Sequence, residues 1–392
     1  MTGAGIAGRD VAGLAAQVGI RSVDFVTWRD LDAPDAGGSE IHATAIAGAW
    51  AAAGVDVTVR TARVPGLSRH AERDGYAVVR AGGRLSVFAR TPLAELGSAA
   101  DALVEVWHGV NFLAPLWWRR PLIGIAHHVH AEQFGMVLPA PLGTVARTLE
   151  RRVYPRIYRR TPLVTLAESG RRELIGLGYR PDLVTVATPG VDARFTPGSG
   201  RYATPFVVAV GRLMPQKRLD VVVDVLLRLK RSQPDLSAAI VGDGPERAAI
   251  TRRVASASAA PWLHVLGRVD DDDLVALYRR AWVVVSASTV EGWGMTITEA
   301  AACATPAVAS RIPGHVDAVR DGETGFLVAD EREMEARLGA VLGDRALRDR
   351  LGRAAAAHAA GLTWESAAAT TFSVLAEAAG TRRGRRRPRH RR

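Results

Sequence analysis

Cysteine is almost absent from this sequence, and its scarcity excludes two classes of protein. Cys303 is the only cysteine in 392 residues. One thiol can build neither a disulfide framework nor a cluster of metal-binding thiolates. We therefore expect neither a disulfide-stapled secreted domain nor a thiolate zinc site.

Long apolar runs are also missing. No uncharged stretch approaches the ~18 residues that a membrane span requires. The first residues lack the charged segment followed by an apolar stretch that is typical of a signal peptide. These absences predict a cytoplasmic protein, with peripheral contact at the inner membrane face as an additional expectation.

Acidic residues are outnumbered, but the excess of positive charge is local. The formal net charge is +11, and the segment 381–392 contains eight arginines and no acid, which leaves 11 − 8 = +3 for the rest. Such a segment is expected to be disordered. It could dock on anionic lipid or nucleic acid, or simply be solvated. Without zinc spacing or interleaved aromatic and basic residues, we do not expect a nucleic-acid partner.

The remaining composition is that of a globular protein with room for two domains. Hydrophobic residues make up 48% and charged residues 23% of the chain. Short apolar runs alternate with helical stretches, as in a doubly wound α/β fold with parallel sheets. The predicted strands include 23–27, 55–60, Leu122–Ala126, 163–166, Phe206–Val210, 238–241 and 282–286.

A stretch rich in proline, glycine and serine at 196–205 predicts a linker between two domains. We place the first domain at 1–198 and the second at 199–363. A final helix at 364–380 is expected to pack back on the first domain, ahead of the arginine-rich segment 381–392.

Two glycine-rich segments near the start are candidates for phosphate binding. Gly3, Gly5 and Gly8 spell the dinucleotide fingerprint, but they precede the first strand instead of following it. That argues against a nicotinamide-dependent oxidoreductase. The loop 35–40 does follow a strand and leads into a helix starting near Ser39, so it either attracts an anion or is a plain loop with Ser39 as N-cap.

The second half contains a stronger cluster. Arg212 and Lys217 follow the strand Phe206–Val210, at the edge where ligands bind in open α/β sheets. A guanidinium and an ammonium placed there can hold a diphosphate. The alternative, two solvated cations on a loop, fits their position less well.

A second motif follows the strand at 282–286. Gly292 and Gly294 permit a tight turn, and a helix starting near Met295 carries Glu299. Glu291 and Glu299 could accept hydrogen bonds from two sets of sugar hydroxyls. A helix start that favours acids would explain Glu299 but not the turn.

Together these segments resemble family 4 of the retaining glycosyltransferases, which have the GT-B fold. The resemblance covers about residues 22–375 and is densest in the second half. Its segments are 35–40, 212–217, 241–245, 266–269, the E-x7-E motif at 291–299, 305–306 and 321–326. It implies two Rossmann-like domains with an interdomain cleft, the first for the acceptor and the second for the donor. No metal or cofactor is expected.

The resemblance also implies roles for individual residues. Glu299 would hold the donor ribose, and Glu291 would hold hydroxyls of the transferred sugar. Arg212 and Lys217 would neutralise the diphosphate. The other implied donor contacts are the amides near Gly294, Met295 and Thr296, the backbone of Arg268 and Val269 at the nucleobase, and Gly38 from the first domain.

A histidine after a first-domain strand approaches the transferred sugar in this family. His127 occupies that position, with His128 as second choice. We assign it to positioning and charge stabilisation. Ala304 departs from the family, which usually has glycine there, and this puts the local backbone geometry in question.

Three features have competing interpretations. The acids at 270–273 are better explained as a helix start than as a metal site. The arginine-rich helix at 145–160 is interpreted as an ordinary amphipathic helix, with a membrane-surface helix as alternative. The segment 112–121 contains tryptophans that are expected to be buried, although an acceptor or lipid contact is the other possibility.

We therefore predict a retaining transfer of a hexose from a UDP- or GDP-sugar to a hydroxyl of a glycan, lipid-linked or small-molecule acceptor. The alternatives are a relative that synthesises glycogen or trehalose, and a protein that binds nucleotide sugars without turnover.

Overall fold

The computed structural model describes residues 10–130, 134 and 139–386, with side chains up to residue 381. The chain forms two compact units. The first comprises Met1–Gly190 together with Trp364–Arg392, and the second comprises Val191–Thr363. Gly3, Gly5 and Gly8 lie outside the described residues.

The first unit is built on an eight-stranded sheet with the order β3-β4-β2-β1-β5-β6-β7-β8. Only the β3–β4 pair is antiparallel among these strands. The strands that follow β1 are added first on one side of it, as β2, β3 and β4, and then on the other side, from β5 to β8. The topological switch point therefore lies between β1 and β5. The strands are β1 Ser22–Val26, β2 Asp56–Thr61, β3 His70–Arg73, β4 Tyr76–Arg80, β5 Ala102–Trp107, β6 Leu122–Ala126, β7 Leu163–Thr165 and β8 Val184–Val186.

Helices cover this sheet, and the last one returns from the end of the chain. Trp50 is fully buried, packs against Phe25 and Phe372, and donates from Nε1 to the Ala368 carbonyl at 3.0 Å. The C-terminal helix is thereby fixed to the first core. The helices are Val11–Val18, Gly38–Ala52, Val87–Glu95, Ala114–Trp117, Ala140–Thr148, Tyr154–Ile157, Glu168–Gly176 and Trp364–Arg386, with a π-helical turn at Leu149–Val153 and a 3-10 turn at Pro181–Leu183.

The second unit has a six-stranded parallel sheet with the order β11-β10-β9-β12-β13-β14. Its switch point lies between β9 and β12. The strands are β9 Phe206–Val210, β10 Ser237–Val241, β11 Leu263–Gly267, β12 Val283–Ser286, β13 Ala307–Ser310 and β14 Gly325–Val328. The helices are Leu219–Ser232, Arg247–Ser256, Asp271–Arg280, Met295–Ala302, His315–Ala318, Glu331–Gly343 and Arg345–Ala359, with a 3-10 turn at Pro215–Lys217.

The division between the units falls earlier than the linker at 196–205. That stretch belongs to the second unit, because Arg279 Nε donates to the Thr196 carbonyl at 2.7 Å and Tyr202 N donates to the Arg280 carbonyl at 3.0 Å. The boundary at 198/199 is corrected to 190/191. The last helix extends to Arg386, so it includes the first residues of the segment expected to be disordered.

Of two features of the first unit, the tryptophan segment is as expected and the arginine-rich helix differs from the expectation. Trp118 is 5% exposed and its Nε1 donates to the Pro121 carbonyl at 2.9 Å, as expected for a buried tryptophan. The helix at 145–160 differs from the expectation, since Val145 is 56% and Leu149 36% exposed while Ile157 packs against the core. Its apolar stripe faces the core only in the second half, because a π-helical turn at Leu149–Val153 shifts the helical phase.

Within the described ranges, no helix combines the length and the apolarity needed to cross a membrane.

Candidate donor and acceptor sites

The loops after β9 and β12 meet at the switch point of the second unit. Lys217 ends the 3-10 turn after β9, and its Nζ forms an ion pair with Oε1 of Glu291, which follows β12. The two side chains are 19% and 17% exposed. The backbones are joined as well, because Thr289 N donates to the Gln216 carbonyl at 2.9 Å. The crevice at such a switch point is where open α/β sheets bind ligands.

Glu291 is held as a carboxylate. Burial alone would raise its pKa, but Lys217, His315 and the Ser288 hydroxyl lower the pKa to about 2. Ser288 Oγ donates to Glu291 Oε1 at 2.8 Å. Below the ordinary pKa of 4.5 this stabilisation of the folded state is progressively lost as the pH falls towards 2. At neutral pH the site therefore presents a fixed anion beside a fixed cation.

Close packing of backbones shapes the loop that carries Arg212 and Lys217. Gly242, after β10, has φ 130°, and a Cβ there would collide with the Gly211 carbonyl oxygen. Leu213 N donates to the Asp243 carbonyl at 2.9 Å. The loop after β9 is thus held against the loop after β10, and glycine is what allows the approach.

Gly242→Ala is expected to destabilise the protein by about 3 kcal/mol or more, since the new methyl group both clashes and requires a left-handed backbone. The midpoint of urea unfolding measures this loss. The matched control is Gly339→Ala in the helix Glu331–Gly343, where a Cβ would only touch Leu229 Cδ2 at 3.7 Å. That change is expected to be neutral or to stabilise by up to ~1 kcal/mol. Equal midpoints for both variants would contradict the packing argument.

The turn between Glu291 and the next helix depends on a glycine within it and on another glycine that packs against it. Gly294 has φ 104° and is the N-cap of the helix Met295–Ala302, so Met295 and Thr296 occupy the first turn as predicted. Gly314 packs so tightly that a Cβ would lie 2.6 Å from the Glu291 carbonyl oxygen. The first amides of the helix carry the positive end of its dipole.

His315 was not predicted as a site residue. It is fully buried, Nδ1 lies 2.9 Å from the Ser310 carbonyl oxygen, and its ring faces Gly294. Burial lowers the pKa of His315, against the opposing effect of Glu291. No motif or spacing in the sequence links His315 to Glu291. The two residues come close because β12 and β13 pair in parallel, so the segments that follow these strands lie at the same edge of the sheet.

Glu299 lies one turn into the helix Met295–Ala302, and its environment differs from that of Glu291. Tyr278 OH donates to Glu299 Oε2 at 3.1 Å. Burial raises the pKa of Glu299 to about 7, and the carboxylates of Asp271 and Asp192 add to the rise. Near neutral pH, Glu291 is therefore ionised while Glu299 is partly protonated, although both belong to one motif.

The remaining predicted donor residues follow strands of the same sheet. Arg212 is half-buried directly after β9, whereas Arg268 is exposed and Val269 half-buried after β11. Since β10 separates β9 from β11, these two strands lie about 10 Å apart in the sheet. The acids at 270–273 open a helix as predicted, with the Asp270 carboxylate accepting from Asp273 N at 2.8 Å.

Gly38 is located at the switch point of the first unit. It is the first residue of the helix Gly38–Ala52, with Gly37 as N-cap, so Ser39 is not the cap. Glu40 is 1% exposed, accepts from Gly37 N at 2.7 Å, and pairs with Arg29 at 3.1 Å. His108, after β5, lies 3.6 Å from the same carboxylate. Neither Glu40 nor His108 was singled out from the sequence as a site side chain.

His127 follows β6 at this edge and is 4% exposed. Neither of its ring nitrogens has a hydrogen-bond partner among the described residues. Its ring centroid lies 5.1 Å from that of His42 and 6.2 Å from that of His108. Burial, reinforced by the neighbouring histidines, keeps the pKa of His127 well below its ordinary value, so the ring is neutral. His128 follows it and lies with its ring 4.0 Å from His130.

Comparison with known proteins assigns the family. The profile "Glycosyl transferases group 1" matches residues 200–358, and "Glycosyltransferase Family 4" matches residues 36–195. A D-inositol 3-phosphate glycosyltransferase of Nocardia farcinica is 32% identical over 71% of this chain and 68% of its own length. Another from Salinispora tropica is 30% identical over 90% of this chain and 83% of its own. The chain belongs to glycosyltransferase family 4.

Solved structures of low identity share its fold. Sucrose-phosphate synthase of Thermosynechococcus elongatus superposes with a TM-score of 0.75 at 18% identity, covering 93% of this chain and 98% of its own. HepE of Anabaena, solved in complex with UDP-glucose, has a TM-score of 0.71 at 17% identity, covering 93% and 99%. The family 4 enzyme described here is a GT-B glycosyltransferase, as the resemblance predicted.

Ala304 adopts a backbone conformation that usually favours glycine. It has φ 61°, a left-handed conformation that glycine adopts at no steric cost. Its carbonyl oxygen accepts from Arg201 Nη2 at 2.6 Å, which fixes the turn. Alanine is therefore strained in this turn, which carries none of the proposed donor contacts.

Proposed function

We propose that this enzyme transfers a hexose from a UDP- or GDP-sugar to an acceptor hydroxyl, with retention of configuration at the anomeric carbon. The ion pair between Lys217 and Glu291 at the switch point supports this best. In this proposal Lys217 supplies the cation that faces the leaving diphosphate, and Glu291 supplies the carboxylate that binds sugar hydroxyls. HepE, a fold neighbour, was solved with UDP-glucose.

In the proposed reaction the bond between the anomeric carbon and the β-phosphate oxygen breaks while a bond to the acceptor oxygen forms on the same face. The acceptor proton passes to the departing phosphate. Lys217, Arg212 and the amides of Gly294, Met295 and Thr296 stabilise the charge that develops on the nucleoside diphosphate. We assign Arg268 and Val269 to the nucleobase, Gly38 to the phosphates and His127 to the transferred sugar. No metal or cofactor takes part.

The acceptor is proposed to be a small molecule. Several relatives are named for an inositol phosphate, which favours a small polyol over a glycan or a lipid-linked acceptor. Incubation with UDP- and GDP-hexoses and candidate polyols, with the anomeric coupling of the product measured by NMR, tests both parts. A product of inverted configuration would refute retention, and binding without turnover on every acceptor would favour a non-catalytic nucleotide-sugar binder.

Glu299 gives nucleotide binding a predicted pH dependence. With a pKa of about 7 in the free enzyme, it is largely protonated below neutrality. An ionised carboxylate accepts from both ribose hydroxyls, so affinity for UDP or GDP is expected to increase as the pH rises through 7. In calorimetric titrations from pH 6 to 8, Glu299→Gln should weaken the binding of UDP or GDP. The increase of affinity with pH that comes from ionisation of Glu299 should disappear in this variant. An unchanged slope in the variant would disprove the assignment.

A further inference from the structure

The two oxygens of the Glu291 carboxylate differ in their surroundings. Oε1 accepts from the Ser288 hydroxyl at 2.8 Å and forms the ion pair with Lys217. Among the residues that the structure describes, no side chain or amide donates to Oε2. A carboxylate oxygen has two lone pairs that accept hydrogen bonds, and the Glu291 side chain is 17% exposed. Oε2 is therefore the oxygen that is available to a ligand.

Ser288, which provides this hydroxyl, is 1% exposed and is held in place from the neighbouring strand. Ser310 ends β13 and donates from Oγ to the Ser288 carbonyl at 2.5 Å. Ser286 ends β12, and its Oγ lies 3.2 Å from the Ser288 hydroxyl. Because β12 and β13 are paired in the sheet, these contacts fix the loop after β12 to the end of β13.

His315 completes a group of polar side chains that we name the Ser288 cluster, which consists of Ser286, Ser288, Ser310 and His315. Nδ1 of His315 lies 2.9 Å from the Ser310 carbonyl oxygen. Since a carbonyl oxygen only accepts, Nδ1 carries the ring hydrogen, and Nε2 is an acceptor 3.5 Å from the Ser286 hydroxyl. The fully buried ring thus joins the ends of both strands.

Lys217 and Ser288 hold the Glu291 carboxylate in different ways. The Lys217 ammonium is a point charge on a flexible stem, so it attracts the carboxylate without fixing its direction. The Ser288 hydroxyl forms a directional hydrogen bond from a backbone that is tied to β13, so it determines where Oε1 lies. Buried polar groups that are hydrogen-bonded to one another specify a single arrangement. Because the carboxylate is a rigid group, fixing Oε1 also restricts Oε2.

We propose that Ser288, held by Ser310 and His315, is a positioning residue that fixes Oε1 of Glu291 and thereby directs Oε2 at the hydroxyls of the transferred sugar. The inference rests on the proposed function, in which Glu291 binds those hydroxyls. Ser288 acts through Glu291 and not by its own contact with the donor. It therefore contributes to the binding of the sugar and not to the binding of the nucleoside diphosphate.

The test is calorimetric titration of the full-length protein with UDP, GDP, UDP-glucose and GDP-mannose. Ser288→Ala should raise the Kd of the nucleotide sugar that the wild type binds by about tenfold, and should change the Kd of the corresponding diphosphate by less than about twofold. Ser288→Thr keeps the hydroxyl and should restore most of the lost affinity. The control is Ser237→Ala, since Ser237 is a half-buried serine at the start of β10, at the opposite edge of the same sheet. It should leave both Kd values unchanged.

Two further variants separate positioning from folding. In a Glu291→Ala background, Ser288→Ala should cause no further loss of nucleotide-sugar affinity, because the carboxylate through which it acts is gone. Ser310→Ala removes the donor to the Ser288 carbonyl and should reproduce the selective loss, which keeps the inference testable if Ser288→Ala does not fold.

The outcomes distinguish this inference from the proposed function. Equal losses of nucleotide-sugar and diphosphate affinity, additive losses in the double variant, or wild-type affinities in both Ser288→Ala and Ser310→Ala would overturn the positioning role and leave the proposed function intact. A folded wild-type protein that binds neither nucleotide sugar would refute the proposed function, and the inference with it.

Discussion

Lys217→Ala is expected to lower the rate of sugar transfer by about 10²- to 10³-fold, because it removes the cation proposed to stabilise the leaving diphosphate. It also leaves the Glu291 carboxylate, 17% exposed, without its ion-pair partner. Because the pair is mostly but not fully shielded from water, its loss is expected to cost about 1–3 kcal/mol of stability. Initial rates at saturating donor, together with thermal unfolding of the same samples, measure both effects.

A second substitution and a control separate catalysis from folding. Lys217→Met keeps the aliphatic stem and its packing while removing the charge, so a folded Met variant with the same loss of rate assigns the effect to the ammonium group. The control is Lys230→Ala, since Lys230 donates to the carbonyls of Pro234 and Leu236 at a helix end and lies over the Trp262 ring, with no proposed donor contact. It should leave the rate unchanged. Transfer at the wild-type rate in a folded Lys217→Met sample would show that this cation is not part of the reaction.

His127→Ala is expected to lower turnover by about 10²-fold while leaving UDP or GDP affinity within a factor of two. The reason is that His127 belongs to the first unit, whereas the proposed nucleotide contacts Lys217 and Glu299 belong to the second. Its ring is buried and neutral, and neither nitrogen has a hydrogen-bond partner in the part of the chain that the structure describes, so it is suited to contact a sugar hydroxyl or the reacting centre. Steady-state kinetics and nucleotide titration on one preparation provide the comparison.

His264→Ala serves as the matched control for that experiment. His264 is an exposed histidine on β11, away from the proposed contacts. His128→Ala tests the second choice for the sugar-facing residue. If turnover survives in His127→Ala but falls in His128→Ala, the assignment moves to His128; if it survives in both, the histidine role is wrong.

The parts of the fold that could be predicted are those in which local pattern and tertiary structure agree. The strands Leu122–Ala126 and Phe206–Val210 are continuous apolar runs and were confirmed with those bounds. The strand Ala102–Trp107 was not named among the predicted strands, and Glu105 interrupts its apolar run. That carboxylate is fully buried and accepts from Phe112 N at 2.6 Å and Tyr158 OH at 2.7 Å. Only the folded loop reveals these partners.

The same limit applies to the site. Lys217 and Glu291 could be singled out because each follows a strand within a motif, but their pairing depends on the order of β9 and β12 in the sheet. Glu40, His108 and His315 stand in no recognisable spacing. Glu40 and His108 meet only in the folded sheet, and His315 lies against Gly294 from the loop after the next strand.

The central claim is that the second unit binds a nucleoside diphosphate sugar through Lys217, Glu291 and Glu299. Thermal unfolding of the full-length protein with UDP-, GDP-, ADP- and TDP-sugars tests it most directly. One donor class, at a hundredfold excess over its Kd, should stabilise the fold by about 2.7 kcal/mol, and Lys217→Met should reduce the shift in melting temperature at the same donor concentration. A folded wild-type protein whose melting temperature does not change with any of these donors would contradict the claim.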